Sequence, residues 1–587
     1  MAAKPQYLAI AERKWHQLNS SIPPEWRLPD RYIPYGMKLS PLDSIHKIDE
    51  YRKDTGQLFD VPRECGLLSD KEIRITEGFD VRGLLSEIHT GKLKANDVVN
   101  AFCKRAAIAQ QLTRCLSEPL FNSALEQAQR LDDHLQRTGR VVGPLHGLPV
   151  TVKDSFNIAG VDSAVGITAL AFKPATSDAS LVQLLRSLGA VIIAKTNVPQ
   201  TMGFLDTVNH LAGRTLNPRN RRLTAGGSSG GEAVAVAMCA SMVGFGTDLG
   251  GSVRIPAMCN GIYGFKPSDG RLPFGGQATG QPEGKFRVGL KPVAGLLARS
   301  IADIDAVMRE IVPRSELFDS DCIPGKWQSE TPSLPESISQ KRLTVGVLRS
   351  DGLIAPLPPV AKVLDEVARV LRRTAGVDVV EVPTPPLMSK CQAAANRLMD
   401  VDGSGPILDL LAQTSEPLMP YLQGKMVRRP PLKIDQLYAL QAHRKELENA
   451  IKQIWTTEDG RRVDAIILPV APHPVPEIDR WGGVSYTSTF VLCDYPAGTI
   501  PVRDVTEADL EQELDDATKQ PLSRSDALNR KLWDKSTVDR RVYLNSSLSI
   551  QVITPRLHEY DLCQAMRIIE DSIRKNGLMQ NLPTPKL

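Results

Sequence analysis

Apolar residues recur every three or four positions at Val81, Leu84, Leu85 and Ile88, and again at Val98, Val99, Phe102 and Ala106. That period predicts two helices, the first opened by Asp80 as its cap. The pattern then changes. Gly147 to Val152 is a short apolar run ending at Lys153, which predicts a buried strand. Leu181 to Leu188 returns to the helical period, Ala190 to Ala194 predicts the next strand, and Met242 to Thr247 another that opens onto glycines. Later strand candidates are Leu343 to Leu348, Val377 to Val382, Ala465 to Val470 and Leu548 to Ile553. Alternation of this kind predicts an α/β body with helices on both faces of a sheet.

Punctuation along the chain divides it further. Residues 1–75 are rich in proline and charge, and predict an N-terminal arm that wraps a larger body spanning 76–575. Within that body, 140–300 holds the chemistry-bearing motifs and 310–460 is a variable stretch expected to cover the substrate. Four prolines make 310–340 loop-like. Residues 504–541 run acidic first and basic afterwards, which predicts a mobile surface insertion.

Composition narrows the classes. Charged residues are 24% of the chain, hydrophobic residues 42%, and the formal net charge is +4. That balance gives no electrostatic reason for a nucleic-acid or membrane partner. Nine cysteines are widely spaced with no Cys-x-x-Cys, which reads as reduced thiols in a cytoplasmic protein. Neither cysteine nor histidine spacing suggests a metal, and no cofactor is expected.

The chemistry concentrates in three runs. They are His146 to Asp154, the stretch Gly226-Gly227-Ser228-Ser229-Gly230-Gly231-Glu232, and Thr247-Asp248-Leu249-Gly250-Gly251-Ser252-Val253-Arg254. Adjacent glycines let successive N–H groups converge on an anion. The N–H groups of Leu249, Gly250, Gly251 and Ser252 are the expected donors, with the Ser252 hydroxyl as nucleophile. Lys153 can act as base only when neutral, which requires burial or nearby positive charge. Asp154 would oppose this if it faced the amine, so its side chain is expected to turn elsewhere. Ser228 or Ser229 could relay the proton. His146, Lys195 and Arg254 are expected to be structural.

Taken together, these runs resemble the amidase signature family: a Pro-x-x-x-Lys-Asp lysine at Pro149 to Asp154, then Gly226 to Gly231, then Gly246 to Arg254. Asn197 to Met202 and Thr215 to Pro218 are also similar to that family. Ile22 to Trp26, Ala101 to Gln111, Val142 to Pro149 and Asp402 to Ser404 resemble its fungal acetamidase, or general amidase, branch. The resemblance implies a single large α/β/α domain around a central mixed sheet. It implies Ser252 as acyl nucleophile, Ser228 as relay next to a cis peptide, and Lys153 as ultimate base. It places Met202, Ser228 and the Leu249-Gly250-Gly251-Ser252 backbone around the acyl group. The expected substrate is a small-molecule amide, either a small aliphatic one or a pathway-specific metabolite. Fatty acid amides, esters, an amidotransferase-subunit role and a non-catalytic relative are the alternatives, and a homodimer stays an open option. One departure is plain: the family's Gly-x-Pro-x-x-x-Gln strand reads here Asn545-Ser546-Ser547-Leu548-Ser549-Ile550-Gln551.

Overall fold

The computed structural model describes residues 5–47, 56–280, 288–329, 342–480, 483–514 and 520–579. Eleven strands form one mixed sheet. In chain order its first members are β1 (Leu116–Pro119), β2 (Pro149–Lys153) and β3 (Val191–Thr196). A separate two-stranded hairpin holds β4 (Val208–Asn209) and β5 (Gly213–Arg214). The sheet continues with β6 (Val243–Asp248), β7 (Tyr263–Lys266), β8 (Val293–Ala298), β9 (Leu343–Val347) and β10 (Val377–Glu381). It ends with β11 (Ala465–Pro469), β12 (Ala497–Asp504) and β13 (Ser547–Ile553). Across the sheet the order is β1-β3-β2-β6-β8-β7-β12-β13-β11-β9-β10.

Strands β3, β2 and β6 run parallel, with Thr151 opposite both Ala194 and Gly244. Parallel strands are covered on both faces, so β2, β3 and β6 are buried at every position. The adjoining β8 shows the two layers. Leu297 joins Ala233 and Val236 of the helix Gly230–Ala237 in one apolar cluster. Its neighbour Leu296 faces the other way and joins the main core with Ile304 and Val307 of the helix Ile301–Ile311.

The helix read from Val81 to Ile88 spans Val81–His89, and Asp80 caps it by accepting from Gly83 N at 2.6 Å. The second spans Ala95–Thr113. Its deep burial leaves almost no polar face, which explains the weak amphipathic signal beyond its first turns.

The arm is tied in by charge. Helix Gln6–Ser20 sends Lys14 inward to Glu118 and to Asp162, the latter at 2.8 Å. The stretch read as a mobile surface insertion is also anchored. Asp509 pairs with Arg503 at 2.7 Å and with Lys362 at 2.8 Å, and Trp533 is fully buried. Its acidic centre at 515–519 lies outside the described residues, as does 330–341 of the proline-rich loop. The earlier part of that loop is more ordered than its prolines suggest, with 3-10 turns over Val312–Leu317.

Candidate active site

Lys153 is the last residue of β2, and Thr247 and Asp248 close the parallel neighbour β6. The site therefore sits at the carboxyl ends of parallel strands, where loops diverge and leave room for chemistry. Lys153 is completely buried. Its Nζ donates to Ser228 Oγ at 2.7 Å and to Thr247 Oγ1 at 2.7 Å. Burial drives its pKa down to about 7, against the opposing pull of Asp248, Glu232 and Asp154. Asp154 turns away from the amine: it accepts from Ser117 Oγ at 2.7 Å and from Val165 N at 2.6 Å.

The first glycine run wraps over the lysine. The Gly227–Ser228 peptide is cis, and Gly226 has φ +76°. Ser229 is not the lysine's partner. Its hydroxyl donates to Thr247 O at 3.3 Å, and its N–H donates to Ser252 O at 3.2 Å. That last bond holds the Ser252 backbone against the loop carrying Ser228.

Asp248 shapes the second run. It accepts from Gly251 N at 2.8 Å and Val253 N at 3.2 Å, and it is gripped by Arg254 at 2.9 Å and 3.0 Å. Gly251 has φ +128°, and a Cβ there would lie 2.4 Å from Thr487 Oγ1, so only glycine fits. One expectation is corrected here: the Gly251 N–H is given to Asp248 and is not free for an oxyanion. The carbonyl of Gly250 accepts from Thr487 Oγ1 at 2.6 Å, which turns the adjoining peptide. Ser252, Leu249 and Gly250 are half-buried.

Met202 follows Thr201 in an unusual stretch, with φ +54° and +63°. It packs with Val165, Ile167 and Leu411, and its apolar cluster includes Ile407, Leu408 and Leu410 from the variable stretch. His146 is buried, its Nδ1 accepts from Val142 N at 3.1 Å, and burial pushes its pKa down to about 4. Lys195 donates to Ser163 Oγ at 2.6 Å and to the Asp162 carbonyl, so it braces a loop.

Two contributors escaped the sequence reading. Thr247 is the second hydroxyl on Lys153, and its place in the glycine-threonine-aspartate run was the available signal. Gln551 accepts from Arg254 at 2.6 Å and donates to Tyr486 O at 3.0 Å. It is the one motif position that the departing C-terminal strand keeps.

The α/β sheet carries a buried lysine bonded to a serine hydroxyl, and relatives give the class of protein. The family model described as Amidase matches residues 97–563, and the chain belongs to that family. An acetamidase of Aspergillus oryzae is 33% identical over 556 residues, spanning 94% of this chain and 96% of its own. An acetamidase of Emericella nidulans is 31% identical over 584 residues, spanning 98% and 99%. Among solved structures, a fatty acid amide hydrolase superposes with a TM-score of 0.82 at 26% identity, covering 96% of this chain and 95% of its own. The protein is thus an amide-hydrolysing enzyme. Among the described residues no helix is long and apolar enough to cross a membrane.

Proposed function

We propose that this chain is a serine amidase that works through an acyl-enzyme, with Lys153, Ser228 and Ser252 as its catalytic residues. The observation that carries this reading is the 2.7 Å contact between Lys153 Nζ and Ser228 Oγ, inside a site where burial lowers the amine's pKa to about 7. Neutral Lys153 draws the proton of Ser228 as Ser228 takes that of Ser252. The Ser252 oxygen then bonds to the amide carbon. The N–H groups of Leu249, Gly250 and Ser252 stabilise the negative charge that develops on the carbonyl oxygen, each such donor being worth about 10²–10³ in rate. The C–N bond breaks as Ser228 returns a proton to the leaving nitrogen. Water, activated by the same relay, then cleaves the ester to free acid and regenerate Ser252.

The substrate in this reading is a small aliphatic or metabolite amide, in keeping with the acetamidase names of the fungal relatives. The purified enzyme should release ammonia from acetamide and its short homologues. Ser252→Ala should remove that release while keeping the wild-type melting temperature. A folded S252A enzyme with full turnover refutes the assignment. A strong preference for long-chain over short-chain amides would transfer the substrate to the lipid class and leave the chemistry intact.

A further inference from the structure

Directly behind the lysine lies a carboxyl group that the mechanism above does not use. Glu232 sits in the first turn of the helix Gly230–Ala237 and is completely buried. Its Oε2 lies 2.6 Å from Thr151 Oγ1 and its Oε1 lies 2.8 Å from Thr196 Oγ1. Thr151 is two residues before Lys153 on β2, so both point to the same face of the sheet. Thr196 is the β3 residue opposite Lys153. Beneath the carboxyl is Gly244 of β6, where a Cβ would come within 2.2 Å of Oε2. Three neighbouring strands thus build a fitted cradle for this one side chain.

The cradle offers hydroxyls and no cation: among the described residues no lysine or arginine forms an ion pair with Glu232. A carboxylate removed from water needs a paired cation or several strong donors to stay ionised. The helix N-terminus favours the anion, and complete burial opposes it more strongly. The short 2.6 Å separation suits an O–H···O bond in which either oxygen carries the hydrogen.

We propose that Glu232 is a positioning residue that stays protonated in the working enzyme, holding as a neutral acid the proton that Lys153 must lack. This rests on the lysine acting as base. The balance is one proton: ammonium at 153 with carboxylate at 232 becomes amine with carboxylic acid, and no other bond changes. The inference explains how Lys153 stays neutral with three carboxyl groups around it. Asp248 is neutralised by Arg254, Asp154 is turned toward Ser117 and Val165, and Glu232 is uncharged. Burial accordingly raises the Glu232 pKa to about 8, with the two threonines and the charge of Lys153 pulling the other way. Among the described residues the thiol of Cys115 is a further titratable neighbour of Glu232, and burial keeps it protonated.

The test is infrared spectroscopy of enzyme carrying ¹³C-labelled glutamate at neutral pH. A protonated-carboxyl band is expected in the wild type and in S252A, and it should vanish in Glu232→Gln. Among the described residues Glu118 is the other buried glutamate whose pKa is raised, to about 7, so Glu118→Gln must keep the band. That control also assigns the signal if E232Q does not fold. Where E232Q folds, the acid limb of its kcat/KM profile should stay where the wild type has it. Absence of the band, its loss in E118Q, or a limb displaced about one unit to lower pH would each overturn the proposal. The band is read without turnover, so active S252A enzyme would defeat the serine-amidase reading while leaving the protonation of Glu232 to the spectrum.

Discussion

Asp248 and Arg254 form a two-point ion pair fully shielded from water, and the turn between them carries Ser252. The aspartate also holds two backbone N–H groups of that turn, and Gln551 engages the other side of the guanidinium. Removing one partner strands a buried charge, which typically costs about 3–5 kcal/mol. Arg254→Ala should therefore lower the unfolding free energy read from urea titration by that amount, and abolish turnover. Arg254→Lys keeps the charge and loses the fork, so it should retain more stability than activity.

Lys153 gives a prediction with a definite sign. Its folded-state pKa near 7 lies below the unfolded value of 10.5, so between those limits the unfolded chain binds the extra proton. Wild-type stability should gain from this group as pH rises from 7 toward 10.5. Lys153→Met lacks the effect, so it should be more stable than wild type at pH 7, with the gap closing at high pH. Paired denaturation curves at pH 7 and pH 10 check this. Its turnover should fall by at least about 10²-fold, the usual worth of a positioned base.

The pH–rate profile should follow the same group. The proposed mechanism uses the neutral amine as base, so kcat/KM should drop as pH falls below about 7. His146 is not the source of that limb: its pKa is near 4, and it bonds a backbone N–H far from Ser228 in sequence. His146→Gln should leave the limb in place. The histidine contributes stability that is present above its unfolded value of about 6.5 and lost as pH falls toward 4, so the variant should lose less stability on acidification.

Gly231 supplies a steric prediction. A Cβ there would stand 2.4 Å from Asn197 N and 2.5 Å from Cys115 O. Both are backbone atoms flanking β3 and β1, tied to each other by the Asn197 N–H donating to Cys115 O at 2.8 Å, so neither steps aside easily. Gly231→Ala should cost at least about 1–3 kcal/mol, measured by thermal unfolding. Gly139→Ala is the contrast: its Cβ meets nothing within 4 Å, and it bears only the strain of φ +64°.

Much of this was legible in advance because the signals were local. The apolar run ending at Lys153 is β2, and Asp80 caps its helix as its spacing implies. The strands that went unread had conflicting signals. β12 contains Gly498 and Pro501, which argue against a central strand, yet it is paired on both sides. The proline is tolerated because β7 pairs only with residues 497–499, and a register shift follows between Pro501 and Arg503. β7 has four residues, too few for a period to emerge. In the site, side-chain identities were readable from the motifs. The hydrogen-bond assignments were not, because whether Gly251 N faces a substrate or Asp248 depends on a backbone rotation that no residue type records.

Among the described residues β13 is the last strand in chain order, yet it lies between β12 and β11. Strands β9, β10 and β11 join the rest of the sheet only through it. Without residues 547–553 the sheet divides into two parts, with bare edges at β12 and β11. Such edges are templates for wrong pairing. A chain truncated before that strand would still carry Lys153, Ser228 and Ser252, on a sheet left in two unjoined parts.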